Sequence, residues 1–169
     1  MARRRPPTRA QPKNNVKLKR GTKQKLSPLF RSAVEVLEHG LWHFFRSSTT
    51  TDLKFAILHV DQAIELFLKE KVRNAGKSIY KNPKETISLW GAYDILEKQL
   101  SCTIPEKPDL ELLHEERNNI QHKYANPDPE DTAFYMQKAI AFLARFLKDE
   151  LKKDLADYLP LGYLDQLLS

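Results

Sequence analysis

From Ser27 onward the apolar residues recur every three or four positions, the repeat of an amphipathic helix. Ser27-Pro28 offers a cap followed by proline at the first helical position. Phe30, Val34, Leu37, Leu41 and Phe44 continue that first stripe. Ser47-Ser48-Thr49-Thr50-Thr51 interrupts it, and Thr51 or Asp52 is placed to cap a second helix. The second stripe is the most regular in the chain: Leu53, Ala56, Ile57, Val60, Ala63, Ile64, Phe67 and Leu68. It predicts one core-facing side, with Lys54, Asp61, Glu65 and Lys69 on the wet side. Gly76 is a natural stop.

The pattern then loosens. Ser78-Ile79-Tyr80 and Thr86-Ile87-Ser88 flank Asn82-Pro83, which fits either a short hairpin or an irregular connection. A third helix is predicted to about Leu100 from Leu89, Trp90, Tyr93, Leu96 and Leu100. After Ile104-Pro105 and Lys107-Pro108, Asp109 opens a fourth helix that ends near Asn126-Pro127. Pro129, Glu130 and Asp131 start a long fifth helix, whose Phe134, Ala139, Phe142, Leu143, Phe146, Leu147 and Leu151 read as core. No internal repeat is visible. The expected fold class is all-α: an antiparallel bundle of about five helices with a disordered basic N-terminal tail. Its organisation is a tail over 1–26, a bundle over 27–158, and an apolar segment over 159–169. That last segment is expected to pack on the bundle or at an interface.

Composition changes this picture in one respect. The chain carries 28 basic and 22 acidic residues, for a net charge of +6. Ten of the basic residues lie in the first 25 positions, with no acid among them: Arg3, Arg4, Arg5, Arg9, Lys13, Lys17, Lys19, Arg20, Lys23 and Lys25. The rest, with 18 basic and 22 acidic residues, is a mild anion. The tail holds three prolines and almost no large apolar residue, too little to order itself by burial. It reads as an RNA-attracting arm whose hold on phosphate weakens with salt, or else as a solubilising arm. No apolar run approaches the roughly 20 residues that span a bilayer, and no apolar segment follows the first arginines. Cys102 stands alone, which excludes an internal disulfide. A cytoplasmic protein without a membrane segment is the expectation.

The candidate chemistry lies in Arg117-Asn118-Asn119-Ile120-Gln121-His122, with Tyr124 two residues on. A guanidinium that grips phosphate oxygens and an imidazole that moves a proton near neutral pH are what metal-free RNA cleavage needs. Positions 118 and 122 share a helical face, whereas 117 and 122 lie about 140° apart. His114 shares the face of Asn118 and His122 and is an auxiliary candidate. The plain alternative is surface charge, with His122 merely favoured at a helix C-terminus.

Two segments resemble the HEPN superfamily, helical-bundle proteins of prokaryotic toxin–antitoxin and antiviral defence systems. His59-Val60-Asp61-Gln62-Ala63-Ile64-Glu65-Leu66-Phe67-Leu68-Lys69 is similar to its early helix, and Arg117-Asn118 with His122 to its late Arg, polar, His motif. The likeness covers about residues 28–150. It implies a metal-independent endoribonuclease of the toxin or defence-effector kind, acting as a homodimer with the motif helices facing across a cleft. Arg117 would hold the scissile phosphate, His122 would serve as general acid or base for 2′-hydroxyl attack, and Asn118 would orient His122. Tyr124 extends the likeness to a branch whose tyrosine is modified by an antitoxin, so an antitoxin or regulatory protein joins RNA among the expected partners. The alternative is a noncatalytic HEPN-like module that binds nucleic acid and a protein partner.

Other groupings carry less. Glu35, His39 and His43 are spaced four apart on one stripe, a conceivable metal face. No second segment offers an obvious further ligand, so a packed or half-exposed histidine pair is expected, with no metal and no cofactor. His59 reads as a packed or partly exposed histidine, and Cys102 as an incidental residue in a polar loop. The five glycines are scattered and form no phosphate loop.

Overall fold

A computed structural model describes residues 25–160 and 162–168. The basic tail thus lies outside the described residues, apart from Lys25 and Leu26. The described residues form an all-α fold, 73% helical, with six helices and one small two-stranded sheet. The long helices are α1 (Pro28–Arg46) and α2 (Thr50–Asn74), then α4 (Lys107–Lys123) and α5 (Pro129–Glu150). Short elements fill the gaps: β1 (Tyr80–Asn82), β2 (Glu85–Thr86), α3 (Leu89–Asp94) and α6 (Tyr163–Leu168). The ambiguous 77–88 stretch is a hairpin, its strands antiparallel. The third helix changes character midway, because Ile95–Gln99 winds as a π-turn.

Capping sets the starts. The Ser27 hydroxyl accepts from the Phe30 N–H at 3.0 Å and donates to Glu70 Oε2 at 2.9 Å, so one side chain caps α1 and ties it to α2. Helix α2 begins earlier than expected because Thr49, not Thr51 or Asp52, is the cap. Its hydroxyl accepts from the Asp52 N–H at 3.2 Å and donates to the Asp52 carboxylate at 2.9 Å. With only a short link between them, α1 and α2 form an antiparallel pair. Gly76, at φ +75°, ends α2 beyond its last turn in the left-handed conformation that glycine adopts without strain.

Helix α2 is the hub, packed against α1, α3, α4 and α5. Phe30 meets Phe67 edge-on at 5.4 Å, and Phe142 and Phe146 lie fully buried beside them in the core. The C-terminal segment packs back on the bundle. Leu159 and Leu167 are buried, Tyr158 meets Phe30 at 5.1 Å, and Tyr163 meets Phe45 at 4.6 Å.

Four expectations about burial are overturned. Asp61 and Lys69 were expected wet and are 2% and 5% exposed. Asp61 is enclosed between α2 and α4, and Lys69 is held by Glu65 at 2.5 Å and Thr86 at 3.0 Å. Phe134, expected in the core, is 41% exposed, on the outer side of α5 between buried Thr132 and Met136. Cys102 is buried rather than set in a polar loop, its N–H donating to the Leu96 carbonyl at 2.9 Å. Among the described residues, no helix is long and apolar enough to cross a membrane.

Candidate functional site

Helix α4 carries the expected motif and is fixed at its start by α5. Arg145 forks the carboxylate of Glu106, with Nε donating to Oε1 at 2.5 Å and Nη2 to Oε2 at 2.6 Å. Burial pushes the Glu106 carboxyl up, and the Arg145 fork more than offsets this, leaving it below its ordinary value. Glu106 precedes the first residue of α4, so the helix opens two residues earlier than Asp109.

The middle of α4 is organised by a residue the periodicity misplaced. Asp61, from α2, accepts from His114 Nδ1 at 3.0 and 3.1 Å on its two oxygens. Its Oδ2 also lies 3.6 Å from Nε of Arg117. One buried carboxylate therefore holds both the auxiliary histidine and the candidate phosphate-gripping arginine. The carboxylate acceptor places a proton on His114 Nδ1. His114 is buried, with the edge of Trp90 against it at 5.7 Å. It opens on a hollow that also includes Leu112 and Asn118.

Arg117 lies on the other flank of α4. Its Nη1 donates to Asn118 Oδ1 at 2.8 Å. Asn118 was expected to orient His122; it accepts from Arg117 instead, and no hydrogen bond joins it to His122 among the described residues. With Nε beside Asp61 and Nη1 on Asn118, the Nη2 group of Arg117 has no partner among the described residues. Arg117 lines a cleft of about 580 Å³ together with His59, Gln62, Lys69 and Gln121. Glu65 lines it as well, its carboxylate held by Lys69, so the cleft offers phosphate oxygens the Arg117 guanidinium and amide donors beside that ion pair.

His122 is exposed near the end of α4 and has no hydrogen bond or ion pair among the described residues. The structure thus brings Arg117, Asn118 and His114 together around Asp61, and it leaves His122 apart. Tyr124 caps α4 in the left-handed conformation, φ +58° and ψ +26°, with its side chain 89% exposed. A Cβ in that conformation costs roughly 1–2 kcal/mol, so Tyr124→Gly is expected to raise stability by roughly 1 kcal/mol. Thermal unfolding of the pair checks this; a lower melting temperature for the glycine variant would mean that the tyrosine ring contributes packing.

The second grouping was only half legible. His39 and His43 share a face of α1 as expected, but Glu35 is not part of the cluster they form. The expectation that no second segment supplies a ligand is overturned by His59 of α2, which joins the two. Burial, with His39 and His43 alongside, pushes the His59 imidazole below its ordinary value. Asp61 and His59 are the residues the sequence reading undervalued. Asp61 falls four residues after Ile57 and three before Ile64, on the apolar stripe itself, and that placement was the available signal. For His59 the signal was Gly40, a glycine within a helix between two histidines one turn apart. No protein-family model, no curated protein and no solved structure matches this chain.

Proposed function

We propose that the protein is a metal-independent endoribonuclease of HEPN type, a toxin or antiviral-defence effector in the cytoplasm. It acts as a homodimer in which Arg117 of one chain and His122 of the other meet at one scissile phosphate. The observation that carries this reading is Arg117, tethered through Nε and Nη1 while Nη2 has no partner among the described residues, in a side chain that lines a cleft. A guanidinium held in this way loses little freedom on gripping a phosphate, and it meets the growing negative charge of the transition state without reorganisation. His122 takes the 2′-hydroxyl proton or delivers one to the leaving oxygen, and the ends left are a cyclic phosphate and a hydroxyl. The separation of Arg117 and His122 around α4 is the reason a second copy is required.

The test is incubation of purified protein with RNA in excess chelator, comparing wild type with His122→Ala. Cyclic-phosphate ends from wild type alone are expected. Equal cutting by both proteins would remove His122 from the chemistry, and no cutting under any condition would remove the enzyme.

A second reading, a noncatalytic module that binds RNA and a protein partner such as an antitoxin, is favoured by His122 itself. A working general base is usually oriented by a neighbour, and His122 has none among the described residues. Under either reading the tail supplies attraction to RNA. Deleting residues 1–25 removes ten positive charges. The slope of log affinity against log salt is expected to flatten by roughly 0.7 for each tail cation that meets a phosphate. Filter binding across a salt series checks this. An unchanged slope would exclude the tail from the interface.

A further inference from the structure

The three imidazoles between α1 and α2 are arranged as a ligand set. His39 and His43 project one turn apart from α1, and His59 meets them from α2. One ring nitrogen of each lies within 4.8 Å of the others. Nitrogens on a tetrahedral ion with bonds of about 2.0–2.1 Å sit roughly 3.4 Å apart, so modest side-chain rotations close the set. The ring centroids are 4.7 Å apart for His39 and His43, and 4.6 Å for His39 and His59.

Three features separate this from an ordinary pile of rings. The backbone is built for the approach: a Cβ on Gly40 would come within 3.0 Å of both the His59 Cβ and Val60 Cγ2. His43 is oriented from behind, its Nδ1 donating to Asp52 Oδ1 at 3.0 Å. Asp52 is itself fixed by the Ser48 N–H and by the hydroxyls of Ser48 and Thr49. A carboxylate on one imidazole nitrogen, with the other nitrogen's lone pair free, is the arrangement that backs metal-bound histidines. Finally, His59 Nδ1 is buried with no hydrogen-bond partner among the described residues. A packed histidine without a ligand would leave that polar atom unsatisfied, at a cost an ion removes.

We propose that His39, His43 and His59 bind a divalent transition-metal ion, with Asp52 as the positioning residue behind His43. Three neutral imidazoles suit zinc(II), and three protein ligands leave a fourth position open to water or an incoming group. The ion ties α1 to α2 near their short connection over 47–49. His59 also lines the Arg117 cleft, so the ion stands at that cleft's edge.

The experiment is zinc titration of the metal-stripped full chain against a chromogenic chelator, with cobalt(II) as an optical probe in parallel. One zinc per chain is expected, together with the visible bands of tetrahedral cobalt(II) and a melting temperature that rises with zinc. His39→Gln is the first variant, because His39 is exposed and its replacement leaves the core intact. It and His59→Gln are expected to abolish stoichiometric binding. Asp52→Asn is expected to weaken zinc about 10- to 100-fold while keeping the cobalt spectrum. Circular dichroism confirms that each variant is folded. The absence of saturable binding at one equivalent overturns the site, as does zinc affinity that is the same in folded His39→Gln and wild type. None of these readouts involves RNA.

Discussion

Asp61→Ala is expected to destabilise the fold by about 3 kcal/mol, more than most single substitutions in the chain. The carboxylate is 2% exposed and holds His114 at 3.0 Å and Arg117 at 3.6 Å. Removing it leaves a buried imidazole N–H with no acceptor and a partly buried guanidinium with no counter-charge. Breaking a buried pair from one side typically costs 3–5 kcal/mol, because the surviving partner is stranded. The Arg117 side chain is still 28% exposed and regains some water, which keeps the expected loss at the lower end of that range. Asp61→Asn keeps an oxygen that accepts from His114, so roughly half of the loss is expected. Urea unfolding of the two variants gives the comparison. A double-mutant cycle with His114→Ala isolates the pair and is expected to give about 1–3 kcal/mol of coupling. Additive losses within about 0.5 kcal/mol would mean that Asp61 and His114 do not act together.

That carboxylate also marks where sequence periodicity stopped being informative. Helices α1, α2 and α5 were legible because each presents an apolar stripe at helical spacing and has a cap or proline at its start. The same logic assigned Asp61 and Lys69 to water on residue type alone. Both lie on the side of α2 that meets other elements, and each is satisfied by a side chain far away in sequence, His114 in one case and Thr86 in the other. A single-helix pattern contains no information about those partners. Phe134 erred in the opposite direction: the covered side of α5 already runs through Thr132 and Met136 at that turn, and Phe134 projects from the side between them that faces out. Within the site, residue types and spacing found Arg117, His114 and Asn118. They did not find that Asn118 serves Arg117, because neighbours at i and i+1 meet only when a long side chain folds back. The histidine cluster was half visible for a similar reason. Its α1 half obeys a local four-residue rule, and its α2 half depends on a close approach that only Gly40 permits.

The largest effects on activity are expected within α4 and separate the roles of its residues. His122→Ala is expected to remove about 10²- to 10⁴-fold of the RNA cleavage rate, the usual worth of a positioned acid or base. It is expected to leave stability unchanged, since the side chain is exposed and makes no hydrogen bond among the described residues. Arg117→Lys keeps the charge and loses the planar fork. Lysine cannot hold Asp61 and the Asn118 carbonyl while presenting a further donor to phosphate, so cleavage should fall about 10²-fold or more while RNA affinity falls little. Asn118→Ala frees the Nη1 end of Arg117 and should be intermediate. It acts through the arginine, so it should lower kcat rather than raise KM, and its effect should vanish in the Arg117→Lys background. His114→Ala and Tyr124→Ala are expected to be mild in rate, with His114→Ala costing stability through its lost bond to Asp61. Single-turnover cleavage measurements complete the series. Full activity in Arg117→Lys would sink the phosphate-gripping assignment. A His114→Ala variant that loses cleavage while His122→Ala keeps it would transfer the proton chemistry to the Asp61–His114 pair.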